Sequence, residues 1–135
     1  MNIMFFLIPK SEVACVYVDF TVRQAIEVME FHRYSSIPIL SKNGKYDGTI
    51  TEGDILWGLK NLNIYNLKGA ENIPVMDIER RQDYQPVTAD SDMKDLITKA
   101  MDQNYVPVVD DNNNFIGIIT RKDIIGYCYE QMKDK

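Results

Sequence analysis

The sequence predicts an α+β fold built from two βαββα units in one chain of 135 residues. Two observations carry that reading: a block that recurs at a constant offset, and an apolar pattern within each copy that switches from helical to strand periodicity. Residues 48–56, GTITEGDIL, return as residues 117–125, GIITRKDII, at an offset of 117 − 48 = 69. Pro38, Asn43, Gly48, Ile50, Thr51, Asp54 and Ile55 each meet an identical residue at that offset. Ile37/Val106, Ile39/Val108, Leu40/Val109, Tyr46/Phe115 and Leu56/Ile125 exchange like for like. Upstream, Asp19, Val22 and Ile26 match Asp90, Met93 and Ile97 at an offset of 90 − 19 = 71, so the first copy carries extra residues near the end of its first helix.

The elements follow in order. The apolar run 3–8 reads as the first buried segment, because it lacks a basic leader and stops at Pro9-Lys10. Short β-rich stretches, 13–18 and 83–88, precede the first helix of each copy. Those helices place Val22, Ala25, Ile26 and Met29, then Met93, Leu96, Ile97 and Ala100, at the i, i+3, i+4, i+7 spacing of one apolar face. A hairpin comes next. Strand 37–41 turns at Lys42-Asn43-Gly44, where Asn-Gly supplies positive φ, into strand 46–50; the second copy turns through the polar loop 110–114. Second helices are expected at 51–61 and 120–131, directly off a strand. Residues 62–73 form a connector ending at Pro74. Each copy, at about 60 residues, has little core of its own, so the expected solution is two copies packed sheet to sheet about a pseudo-twofold axis.

Composition narrows the function. With 15 basic and 20 acidic residues the net charge is -5, which disfavours a broad grip on nucleic acid or an anionic membrane. No run approaches the roughly 18 apolar residues of a membrane span. Cys15 and Cys128 make neither a disulfide scaffold nor a CxxC site, which suits a reducing cytoplasm; they and Trp57 read as packing residues. His32 alone cannot anchor a histidine metal cluster, so no metal is expected. Ser-His-Asp, Cys-His, Walker and GxGxxG patterns are lacking, so the chain does not read as an enzyme.

The recurring chemistry is a strand ending in Gly-x-Ile-Thr-x-x-Asp and running into a helix. Thr51-x-x-Asp54 and Thr120-x-x-Asp123 read in two ways. One is a capping box, with threonine as N-cap and the acidic side chain reaching back. The other is a ligand site, where a helix N-terminus faces phosphate and the aspartate accepts from a ribose diol. Arg121 and Lys122 lie between Thr120 and Asp123, where the first copy has Glu52 and Gly53. Cations there favour phosphate; Glu52 opposes it. A solvated helix start is the alternative for that pair.

These paired motifs resemble the tandem CBS domain pair, or Bateman module, over nearly the whole chain. The resemblance implies one module over residues 1–135, with motifs at 8–62 and 74–132. It further implies clefts between the motifs that bind adenosyl ligands, association into homodimers, and a regulatory role, possible protein effectors included. Residue by residue, it places an adenine pocket at Ala14, Tyr34, Ser35 and Ile37, with Asp123 on the ribose, Thr120 at the ribose or phosphate, and Arg121 and Lys122 beside the phosphate. Tyr34 is read as stacking on the base, a contribution of about 1–3 kcal/mol, or as a half-buried helix-exit aromatic. Arg33 and Lys10 are weaker members of the basic rim. The second cleft, Thr51 and Asp54 with Asn104, Tyr105 and Val106, departs from the family pattern at Gln103-Asn104, lacks the cation pair, and is expected to be empty or weaker. FLIPKSEVACV, residues 6–15 extended to Val16, together with Tyr34-Ser35-Ser36-Ile37-Pro38, is similar to the small stand-alone CBS-pair proteins of Gram-positive bacteria, which bind cyclic di-AMP or AMP. The implied function is a sensor of AMP, ADP, ATP or cyclic di-AMP; the competing reading is a ligand-free module that acts only through protein contacts.

Overall fold

The computed structural model describes residues 2–133 and divides into two compact units. One runs from Ala14 to Asp83; the other combines the N-terminal segment through Val13 with everything from Tyr84 onward.

In the first unit, β2 (Val16–Tyr17) leads to α1 (Val22–His32), then β3 (Ser36–Leu40), β4 (Tyr46–Thr51) and α2 (Glu52–Asn61). The sheet order is β2-β3-β4, with β2 parallel and β4 antiparallel to β3. Thr21 caps α1 by a complete capping box: its hydroxyl accepts from the Gln24 amide at 3.2 Å and its own amide donates to Gln24 at 2.8 Å. Val22, Ala25 and Met29 bring the apolar face onto Val16, Ile37, Ile39 and Ile50, the buried positions of the sheet. Ile55 of α2 joins the same core. Each such aliphatic side chain contributes about 1.5–3 kcal/mol on full burial. The connector holds α3 (Leu67–Ala70) and a 3-10 turn at Val75–Asp77; Ala70, Val75 and Ile78 return to the same core.

The second unit repeats the plan with β5 (Val87–Thr88), α4 (Met93–Ala100), β6 (Tyr105–Val109), β7 (Phe115–Thr120) and α5 (Arg121–Lys133). The repeat extends to register. Ile37 pairs with Ile50 and Val106 with Ile119, and both hairpins carry an irregularity at the same place, Ile39/Leu40 and Val108/Val109. The first helix of copy one is longer by three residues, 11 against 8, and its link to the next strand is shorter by one, which together account for the change of offset by two.

Three expectations need correction. The β-rich stretches 13–18 and 83–88 form only two-residue strands, because the chain arrives there in irregular segments. The opening run buries Ile3 but leaves Phe5 82% exposed: residues Ile3–Phe6 form a 3-10 helix, whose tight winding turns neighbouring side chains to different sides. Ile97 stands at the edge of the α4 face and is half exposed, whereas Leu96 is fully buried. The N-terminal segment also adds β1 (Ile8–Pro9) to the second copy's sheet, antiparallel to β7, giving the order β1-β7-β6-β5. Gly117 makes that approach possible, since a Cβ there would lie 2.2 Å from the Ile8 carbonyl oxygen.

Candidate functional site

Both Thr-x-x-Asp motifs fall where the sequence places them, at a strand end running into a helix. Thr51 is the N-cap of α2, its hydroxyl accepting from the Asp54 amide at 3.1 Å. Thr120 Oγ1 accepts in the same way from the Asp123 amide at 3.2 Å. The first helical amide is also matched, with Glu52 N donating to the Ser35 carbonyl and Arg121 N to the Asn104 carbonyl, both at 2.9 Å. The first copy therefore builds the whole capping box, whereas the second builds only its threonine half. Two of the amides that a helix N-terminus would offer a phosphate are already taken.

The carboxylates differ. Asp54 is buried, at 7% exposure, and both its oxygens are engaged: Oδ2 accepts from the Thr51 amide at 3.0 Å and Oδ1 from the Arg81 amide at 3.0 Å. Arg81 is held there by a clasp. Asp83 accepts from Arg80 Nε at 2.7 Å and Nη2 at 3.2 Å, and also from the Thr49 amide on the open edge of β4 at 3.0 Å. That hydrogen bond to Asp83 raises the Arg80 guanidinium pKa above its ordinary value. Gly48 leaves room for the carboxylate, because a Cβ there would meet Asp83 Oδ1 at 2.4 Å. Asp123, by contrast, is half-buried, and among the described residues its carboxylate takes no hydrogen bond.

Tyr34 and Ser35 are delivered by the end of α1. Arg33 adopts the left-handed conformation at φ 58°, and the Tyr34 amide returns to the Met29 carbonyl at 2.9 Å, which closes the helix and turns the chain into β3. Both residues line a groove of about 480 Å³ with Met29, Arg33, Glu52 and Ile55. Ala14 is half-buried against the same core that Tyr34 covers. Ile37 is 0% exposed, so it supports these residues from beneath and presents no surface of its own. In the second unit, Lys122 and Asp123 line a groove of about 550 Å³ with Phe6, Gly126 and Tyr127. Lys122 is exposed. Arg121 is not free in the same sense: its Nε donates to the Ala100 carbonyl at 2.8 Å and the Gln103 carbonyl at 2.9 Å, capping the end of α4. Of the second set, Asn104 is exposed, while Tyr105 at 4% and Val106 at 0% are core residues.

Sequence reasoning missed the Arg80-Asp83 clasp, whose only sequence trace is an Arg and an Asp three apart. It noted Gln103 only as a departure from pattern. Gln103 is 2% exposed, and its carboxamide is fully committed to backbone. Among the described residues no group of three or more His, Cys, Asp or Glu is placed to hold a metal. No helix among them is long and apolar enough to cross a membrane.

The CBS domain model matches residues 7–61 and 74–130, both copies of the repeat. The chain belongs to the CBS domain family. Among its relatives, the uncharacterized protein MJ1426 of Methanocaldococcus jannaschii is 30% identical over 141 aligned residues, which cover 82% of each chain. The chain spans about half the length of two others from that organism, MJ1225 and MJ0188, covering 45% and 44% of them at 28% identity. Solved CBS-pair structures share the fold. CbpB of Listeria monocytogenes, in complex with c-di-AMP, superposes with a TM-score of 0.81 at 24% identity, covering 96% of both chains. CBSX2 in complex with AMP gives 0.75 at 19% identity, covering 97% of this chain and 98% of that one.

Proposed function

We propose that the chain is a non-catalytic cytoplasmic sensor of an adenine nucleotide. Ala14, Tyr34 and Ser35 supply the base contacts, with Ile37 behind them. Asp123 takes the ribose hydroxyls, while Thr120 and Lys122 serve the phosphate and Arg121 fixes the start of α5. The observation that supports this reading best is the asymmetry of the two aspartates. Asp54 is spent on two backbone amides, whereas Asp123 keeps both oxygens for hydroxyl donors beside an exposed lysine. The ligands in the neighbours' complexes, c-di-AMP and AMP, head the list of candidates.

A thermal-shift panel of AMP, ADP, ATP, cyclic di-AMP and S-adenosylmethionine tests the reading. A ligand present at 100 times its dissociation constant stabilises by about 2.7 kcal/mol. No shift with any member overturns it. Association into homodimers and contact with a protein effector complete the proposal. Leu56 and Trp57 on α2, and Ile125 and Tyr129 on α5, stand 58–60% exposed, which supports helix-to-helix pairing. A monomer by light scattering at micromolar concentration would remove the dimer from it.

A further inference from the structure

The repeat allows each copy's base position to be compared with the other. Val16 pairs with Ile39 and Val87 with Val108, so the short leading strands correspond, and the residues two places before them are Ala14 and Gln85. Ser36 and Tyr105 open the central strands, and the residues two places before those are Tyr34 and Gln103. Where the first copy has alanine and tyrosine, the second therefore has two glutamines.

Their geometry is specific. The Gln85 amide donates to Gln103 Oε1 at 2.8 Å, and Gln103 Nε2 donates back to the Gln85 carbonyl at 3.2 Å and to the Tyr105 carbonyl at 3.2 Å. The carboxamide orientation is fixed by chemistry, since only an oxygen can accept from the Gln85 amide. One side chain thus presents an acceptor and a donor, side by side, to the amide and carbonyl of a single residue. An adenine edge offers the same pair, a ring nitrogen acceptor beside an amino donor. Tyr34 has no carboxamide and cannot make that two-point contact.

We propose that Gln103 is the residue that sets ligand number: its carboxamide stands in for a nucleobase at the second copy's base position, so the chain takes adenine only at the Tyr34 copy. This rests on the adenine-nucleotide reading above. The other half assigned to the same second cleft is closed as well, in its own unit, by the Arg81 amide on Asp54. Each lock is made within its own unit, on a residue that the family resemblance assigns to the second cleft.

The test uses free adenine, which needs only the base position. Equilibrium dialysis at saturating adenine compares the parent chain with Gln103→Ala. The variant is expected to bind one adenine per chain more than the parent; an unchanged count overturns the proposal. AMP binding to the parent is measured alongside. A parent that ignores AMP while the variant gains adenine sinks the sensor reading and leaves this inference standing. If removing the carboxamide prevents folding, the parent alone decides. With saturating AMP the Ala14 amide resonance should move while the Gln85 amide and the Gln103 side-chain signals stay in place. Movement of the Gln85 and Gln103 signals comparable to that of Ala14 overturns the proposal.

Discussion

Replacing Asp54 by alanine should damage the fold, whereas the same replacement at Asp123 should not. Asp54 accepts two backbone amides, from Thr51 and Arg81, at 3.0 Å each, in a side chain only 7% exposed. Hydrogen bonds to a charged group contribute about 1.5–3 kcal/mol each. The two bonds share one carboxylate and do not sum in full, and the charge also faces the N-terminus of α2, worth about 0.3–1 kcal/mol. A loss of about 3 kcal/mol is therefore expected. At about 3–4 °C per kcal/mol for a chain of this size, the melting temperature should fall by about 10 °C. For Asp123→Ala the capping bond from its amide to Thr120 Oγ1 survives, because the backbone makes it. Only the helix-end charge is lost, about 0.3–1 kcal/mol, or about 2 °C. Calorimetric melts of the two variants and the parent, in one buffer without ligand, give the comparison. Equal losses, or a larger loss for Asp123→Ala, would refute the view that one aspartate is structural and the other is free.

Three further outcomes are expected. Gly48→Ala should cost about 1–3 kcal/mol by chemical denaturation, because its Cβ would collide with Asp83 Oδ1 at 2.4 Å, and it should speed hydrogen exchange at the Thr49 and Arg81 amides. Arg121→Lys should lower stability nearly as much as Arg121→Ala, about 1–2 kcal/mol, since lysine has a methylene where the single Nε–H of arginine is shared between the Ala100 and Gln103 carbonyls, and its ammonium lies one atom farther out. Lys122→Ala should weaken AMP about tenfold and leave adenosine binding unchanged in calorimetry, as loss of an exposed phosphate partner requires.

The parts of this fold that were legible in the sequence are those set by local periodicity and by duplication. Apolar spacing marks α1 and α4, Asn43-Gly44 marks the first hairpin, and the constant offset through the two hairpins is matched by equal register in β3/β4 and β6/β7. Both threonine caps follow from a four-residue pattern. What escaped notice depends on contacts distant in sequence. Nothing local in Ile8-Pro9 says that its partner is Gly117, more than a hundred residues on, or that Asp83 will cover the edge of β4. The carbonyl contacts of Arg121 were not legible, because a cation beside a helix start has two good partners, an anion or the carbonyls of a neighbouring helix end, and the path of α4 brings the second within reach of Nε. Gln103 shows the remaining gap. Its correspondence to Tyr34 follows from the repeat, but its lock on the Gln85 backbone needs the three-dimensional turn that precedes β5.

The central claim is that ligand affinity follows Asp123 rather than Asp54. Calorimetric titration of AMP into the parent, Asp123→Ala and Asp54→Ala, well below their melting temperatures, measures this directly. Affinity should fall at least tenfold in Asp123→Ala, about 1.4 kcal/mol, and stay within about twofold of the parent in Asp54→Ala. Binding by Asp123→Ala equal to that of the parent would contradict it.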